Sequence, residues 1–332
     1  MTVSDIGQRL SDQFTISNLQ SRIQRLQNQI TTGKKARIFS DFDTLDASNS
    51  LIFRRTRAKF ENFTKTINQV NSRITVMDSA MTSIRKNADD AVNFLLSQLQ
   101  DTDPQTSLIN QEARESLTAI QERMNVKFGD RFLFAGSDIA NAPYPNPGTL
   151  DGNFNTLAAA NLIGAPTVNS IQTDSRAITG TAMGFSAGHL AAGNVQARID
   201  ENTDLDYTVR ADDSGFSDIM RGLSLVSNLP DPANQLQQDN FWTMVNGAIG
   251  LLQDGIQRLD EVQSLLGNRA QQLDERKIAL DELEGDFRTF IGDTEDTDIA
   301  EATLQLQDLD FQLEASFRTT TTLRQLSLVN FL

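Results

Sequence analysis

The sequence predicts a mainly α protein: a long antiparallel helical coiled-coil rod formed by both chain ends, with a small β-rich or mixed inserted domain. Three observations carry this expectation. Two apolar seams with alternating three- and four-residue steps lie far apart in a chain of 332 residues. The halves that carry them are oppositely charged. Between them the helical period fades, and six of the seven prolines collect in residues 131–240.

The first 100 residues hold a short stripe and a long seam. Ile16, Leu19, Ile23, Leu26 and Ile30 form the stripe. Phe60, Phe63, Ile67, Val70, Ile74, Met77, Met81, Ile84, Ala88, Ala91 and Leu95 then keep an a/d pattern over five heptads. A helix from about 47 to 100 would be ~80 Å long at 1.5 Å per residue. Ile109, Ala113, Leu117, Ile120 and Met124 mark a shorter helix, with Gly129 just past its end. Arg131–Ala135 and Leu205–Arg210 alternate like strands. Phe216, Ile219, Leu223 and Val226 suggest a short helix after Asp213.

The second long seam runs from Val245 through Ile249, Leu252, Ile256, Leu259, Leu266, Leu273 and Leu280 to Ile291. Gln263, Lys277 and Glu284 interrupt it; polar seam positions of this kind fix register at a cost in stability. A last stripe joins Leu306, Leu309, Leu313 and Leu323, and the chain stays apolar through Leu326 and Leu328. The expected domains are therefore a terminal helical assembly domain (1–46 with 298–332), a helical rod (47–140 with 238–297) and an inserted β-rich outer domain (141–237). Phe63, Ile67, Val70, Ile74, Met77, Leu252, Ile256, Leu259, Leu266 and Leu273 are expected in the rod core. Ile23, Leu26, Ile30, Leu306, Leu309, Leu313, Leu326 and Leu328 are expected at subunit contacts, because a lone helical hairpin buries too little of such stripes.

Charge supports pairing of the two arms. The net charge is -15, yet residues 1–100 carry 14 Lys+Arg against 9 Asp+Glu. Residues 254–314 carry 5 bases against 17 acids. Arg54, Arg55 and Arg57 are expected to face that acidic arm rather than nucleic acid, which the overall charge disfavours.

Composition removes most chemistry. With no Cys and one His, neither a thiolate nucleophile, a Cys zinc site nor a two-His motif can be built. No stretch approaches a membrane span, and the N-terminus lacks the apolar core of a cleavable signal. Gly184-Phe185-Ser186-Ala187-Gly188 fits the nucleophile-elbow pattern G-x-S-x-G, but the only His, His189, follows too closely and in the wrong order. It is expected to be a surface or hydrogen-bonded loop residue. Asp41, Asp43 and Asp46, and Asp293, Glu295, Asp296 and Asp298, lack the calcium-loop spacing and are expected to be helix N-terminal acids. No cofactor, metal, nucleic-acid partner, membrane partner or enzyme activity is expected.

Several motifs are similar to a known family. Gln29-Ile30-Thr31-Thr32-Gly33-Lys34 with Ile38-Phe39-Ser40-Asp41, Asp296-Thr297-Asp298-Ile299-Ala300-Glu301-Ala302, and Gln325-Leu326-Ser327-Leu328-Val329-Asn330-Phe331-Leu332 resemble the two ends of the flagellin superfamily. Arg131-Phe132-Leu133-Phe134-Ala135-Gly136-Ser137 with Ala142-Pro143-Tyr144 resembles its hook-associated protein 3 branch more than filament flagellin. The resemblance covers roughly 1–145 and 240–332, with 200–230 weakly included. The family's Ser-Asp-Asp-Pro turn reads Ser40-Asp41-Phe42-Asp43 here, without the proline.

The resemblance implies a structural subunit of the bacterial flagellum, extracellular and exported without a cleavable signal peptide. Its implied role is to join a hook-associated protein on the hook side to flagellin on the filament side. Like subunits and an export chaperone are the further implied partners, and terminal helices that order on assembly the implied mechanism. Filament-forming flagellin is the alternative. An extracellular adhesin or hydrolase carried by the insert is the reading from a different class.

Overall fold

The computed structural model describes residues 3–100 and 105–329, with side chains described at 10–100 and 105–322. In chain order the helices are α1 (Val3–Thr32), α2 (Thr44–Gln98), α3 (Thr106–Met124), α4 (Pro147–Ile163), α5 (Val168–Ala177), α6 (Ala187–Ala191), α7 (Ser214–Ser227), α8 (Gln235–Glu295) and α9 (Ile299–Val329). The strands are β1 (Lys127–Phe128), β2 (Arg131–Phe132), β3 (Gln196–Arg198) and β4 (Asp204–Asp206). The protein is mainly α. No helix among the described residues is long and apolar enough to cross a membrane.

The chain forms two compact units. One comprises residues 1–62 and 280–332, the other residues 63–279.

In the second unit, α2 and α8 run antiparallel: Asn71 Nδ2 donates to Asp274 Oδ1 (2.7 Å), Gln263 Nε2 to Asp78 Oδ1 (3.0 Å), and Arg85 Nε lies 2.9 Å from Asp260 Oδ1. Partner numbers fall on one helix as they rise on the other. Between the helices lie Ile67, Val70, Ile74, Met77, Leu252, Leu259, Leu266 and Leu273, all buried, while Phe63 and Ile256 are half-buried. The α8 leucines recur every seventh residue, so each returns to one face. The intervening seam positions Gln263, Ala270 and Lys277 are only half-buried. Gln263 offsets its polarity by also donating to Thr82 Oγ1 at 3.1 Å.

A second core surrounds α7, whose residues from Gly215 to Ser227 are all buried. Its glycines let α8 approach closely. A Cβ at Gly222 would come within 2.9 Å of Leu252 Cγ and 3.0 Å of the Ala248 carbonyl; a Cβ at Gly255 would meet the Gly215 carbonyl at 2.9 Å. Inside this packing Asp218 is fully buried and takes three guanidiniums. Arg221 Nη1 donates to Oδ1 at 2.8 Å, Arg176 Nη2 to Oδ2 at 3.0 Å, and Arg258 Nη1 lies 3.4 Å away. Arg176 also reaches Asp254 Oδ2 at 2.6 Å. A buried carboxylate persists because it is paired and hydrogen-bonded on several sides.

Of the two characters expected for the insert, β-rich or mixed, the structure has the second. Residues 141–237 hold four helices and one antiparallel ladder, β3 with β4, so the region is mixed but not β-rich. The strand expected over 131–135 shrinks to Arg131–Phe132, which pairs with Lys127–Phe128 across Gly129 (φ +62°). A two-residue hairpin turn of the favoured hand needs such a positive φ. The chain then bends at Gly136 (φ +63°), where a Cβ would lie 2.8 Å from the Gly193 carbonyl. The strand expected over 205–210 ends at Asp206. There the Asp206 carboxylate accepts the Thr208 N–H and starts a turn.

Candidate functional site

The candidate site is the unit formed by the chain ends. α1 and α9 run antiparallel, since the end of α1 and the start of α9 are joined: Thr297 N–H donates to the Gly33 carbonyl at 3.0 Å and Lys35 N–H to the Glu295 carbonyl at 2.7 Å. Gly33 closes α1 with φ +70°, its N–H returning to the Gln29 carbonyl at 2.8 Å. A left-handed cap of this kind is the usual glycine ending of a helix.

One seam holds the two helices together. Leu19, Ile23, Leu26, Ala302 and Leu309 are buried, with Ile30, Leu306 and Leu313 partly buried against them. The six described residues expected at subunit contacts thus pack against each other within one chain. Leu326 and Leu328 lie outside the residues whose side chains are described. The outward faces carry other large apolar groups: Leu10, Phe14, Leu304 and Phe311 are 62%, 70%, 65% and 74% exposed.

Below the pair sits an ionic clasp. Glu295, the last residue of α8, is 4% exposed. Arg54 on α2 grips its carboxylate with two hydrogen bonds of 2.7 Å, and Ser50 Oγ donates a third at 2.5 Å. Lys34 approaches at 3.7 Å and also pairs with Asp296. The Arg54 hydrogen bond, opposed by burial and assisted by Ser50, lowers the Glu295 pKa from 4.5 to about 2; the same bond raises that of Arg54. Beside the clasp Phe287 stands 5.8 Å from Phe53 and 5.6 Å from Phe60, both edge-on. Arg57 Nε reaches Glu284 at 3.2 Å. Arg54 and Arg57 therefore meet the acidic arm, whereas Arg55 is exposed.

The acids around α9 divide by role. Asp298 is a helix N-terminal acid: its Oδ1 accepts from the Ala300 and Glu301 N–H groups at 2.9 and 3.1 Å. Glu295 instead forms an ion pair with a distant part of the same chain, which its place in a run of acids did not reveal. A basic residue 241 positions away has no local sequence signal.

The G-x-S-x-G segment is a turn and a cap. A 3-10 turn, not a strand, precedes Gly184, and Ser186 Oγ accepts the His189 N–H at 3.0 Å at the start of α6. No hydrogen bond joins Ser186 Oγ to the imidazole. His189 is fully buried rather than on the surface, with Nε2 3.0 Å from Asp212 Oδ1. Burial opposes ionisation of Asp212, but its bonds to His189 and Arg210 win and hold the carboxyl well below the usual range. Among the described residues no three His, Cys, Asp or Glu side chains gather as a metal site.

No protein-family model matches the chain. No curated protein matches it either. Solved structures to which the chain is similar include the following two. One is described as that of a flagellar hook-associated protein from Vibrio parahaemolyticus: TM-score 0.45, 11% identity, 74% of this chain and 98% of that one. The other is FlgL from Bacillus cereus: TM-score 0.46, 16% identity, 70% of this chain and 99% of that one.

Proposed function

We propose that this chain is a structural subunit of the bacterial flagellum, joining a hook-associated protein to the flagellin filament. One observation carries the reading: the terminal helices form a single-seam pair that leaves Phe14, Leu304 and Phe311 pointing to solvent. A single seam between two helices is too little to specify a stable unit, and exposed large side chains at this density mark an interaction surface. The motifs around Gly33, Asp298 and Arg131, which resemble the flagellin superfamily, say which assembly that surface serves.

In this reading residues 1–46 and 298–332 form the assembly domain, 47–140 and 238–297 the shaft, and 141–237 an outer domain. Like subunits, a hook-associated protein, flagellin and an export chaperone are the partners. Work is done by burial rather than by bond chemistry. At about 25 cal/mol per Å2, a few hundred Å2 of newly covered apolar surface contributes several kcal/mol before ordering costs.

Electron microscopy of a deletion strain tests the role. Hooks without filaments are the expected result, and intact filaments would overturn it. Growth of long filaments from purified chain on seeds would instead favour a filament flagellin.

A further inference from the structure

We infer that a crevice beside the β3–β4 ladder is a carboxylate-binding site, with Arg73, Arg131 and Tyr207 as its donors. The inference is independent of the flagellar reading, and every residue it uses lies in the second unit.

The starting point is how the chain treats buried positive charge. Nine arginines among the described residues are buried or half-buried. A guanidinium withdrawn from water is costly unless a counter-charge faces it. Seven of the nine face a carboxylate. Arg176, Arg221 and Arg258 share Asp218. Arg57, Arg210 and Arg276 pair with Glu284, Asp212 and Asp200. Arg269 interacts with the charge of Asp206. Arg73 and Arg131 meet no carboxylate among the described residues, and both line the same crevice.

The donors come from three distant segments. Arg73 lies on α2, Arg131 on β2 and Tyr207 just after β4. Arg73 Nη1 donates to the Tyr207 hydroxyl oxygen at 2.9 Å, while Arg73 Nε is buried with no hydrogen-bond partner. Tyr207 is itself buried. Its oxygen accepts from Arg73, so its own proton remains to be given. Two guanidiniums and a phenol therefore offer hydrogen to one crevice without an acceptor of matching charge.

Size selects the ligand. The space within the crevice is about 20 Å3, and one water needs roughly 10–15 Å3. It admits a single oxygen atom, not a whole phosphate or sulfate. A carboxylate enters by one oxygen and keeps the second at the mouth. Its planar pair of acceptors also matches the guanidinium fork. Met77, Phe132 and Val195 supply apolar wall, and a low local dielectric strengthens each charge-assisted bond. A small free carboxylic acid and a glutamate or aspartate side chain bring the same group. Once bound, that group ties α2, β2 and the end of the β3–β4 hairpin together.

Arginine-specific labelling tests the site. The full-length chain is treated with phenylglyoxal in sodium acetate and in sodium fluoride of equal ionic strength, and labelled arginines are identified by peptide mass spectrometry. Acetate should slow labelling of Arg73 and Arg131 several-fold and leave the exposed Arg55 and Arg123 unchanged. Arg131 should lose its protection in Arg73→Gln, and Arg73 its own in Arg131→Gln, because one ligand serves both. Tyr207→Phe keeps the ring and removes the hydroxyl. Half-protection should then need about tenfold more acetate, the worth of one hydrogen bond to a charged group. The peptide acetyl-Gly-Glu-Gly-amide has a side chain as its only carboxylate. Protection by this peptide at lower concentration than acetate identifies a protein side chain as the ligand; protection by acetate alone identifies a free acid. Absence of protection at Arg73 and Arg131, or equal slowing at Arg55 and Arg123, overturns the inference. So does protection of Arg131 that survives Arg73→Gln in a chain of unchanged circular dichroism.

Discussion

The helix α7 and the pair α1–α9 are both helical and both placed by apolar stripes, yet they are buried to very different depths. α7 is enclosed on all sides: Phe216, Ile219, Met220, Leu223, Leu225 and Val226 are all 0% exposed, and even Asp218 has its charge neutralised in place. The terminal pair has one interface. Its most buried members retain 4–9% exposure, while Phe311 and Phe14 stand almost free. A core that closes within the chain specifies itself. A single seam specifies only which faces remain for something else. The contrast places enclosed packing in the second unit and exposed apolar faces in the first.

The largest effect should come from breaking the enclosed region. Asp218→Asn leaves Arg176, Arg221 and Arg258 without their shared buried carboxylate. Breaking such a site costs about 4 kcal/mol, read as a lower urea midpoint for the second unit. Leu223→Ala removes a fully buried side chain between α7 and its neighbours and should cost about 3 kcal/mol. If either substitution cost less than about 1 kcal/mol, α7 would not be the self-sufficient core that the contrast requires.

The clasp lies between these extremes. Its carboxylate pKa falls from 4.5 to about 2 on folding. Folding therefore favours the ionised form. The gain is complete above pH 4.5 and is lost as pH falls toward 2. The whole shift would be worth about 3 kcal/mol. Arg54 is half exposed, and solvent screening reduces this to about 2 kcal/mol at neutral pH. Glu295→Gln should destabilise the first unit by that amount and remove its acid-dependent component between pH 4.5 and 2. A titration of stability against pH on both proteins checks this. Parallel curves would mean that Glu295 does not set the acid response.

Particular residues show how much of this could be read from the chain. The seams were legible because a heptad repeat is local: Leu252, Leu259, Leu266 and Leu273 declare one face, and that face is buried. The short helix after Asp213 was visible in Phe216, Ile219, Leu223 and Val226. Its enclosure was not, because the signal resides in Gly215, Gly222 and Gly255, which permit close approach only where two helices happen to cross. Alternation in Arg131–Ala135 and Leu205–Arg210 overstated strand length, since only Arg131–Phe132 and Asp204–Asp206 pair. The helix after Thr167, whose hydroxyl exchanges hydrogen bonds with Ser170, carried no apolar period by which to read it. Within the candidate site, the stripes of Ile23 and Leu309 were readable as apolar. Their partner was not, since periodicity gives a face and never its occupant. Glu295 and Arg54 were unreadable for the same reason on a longer scale.

The smallest effect is the most discriminating. Ile23→Ala truncates a side chain that keeps 8% exposure in a two-helix seam. The neighbouring helix can relax toward solvent, so the site collapses more easily than a cavity in a closed core. The cost in the free chain should be about 1 kcal/mol, below the 2–5 typical of enclosed positions. Hydrogen exchange is the proper measure, because a pair with a single buried seam is expected to open at lower free energy than an enclosed core. Faster exchange along α1 and α9, with α7 unchanged, is the expected pattern. Loss of protection in both regions together would show one cooperative block. The distinction between a finished core and an open seam would then fail, and with it the reason to assign assembly to the chain ends.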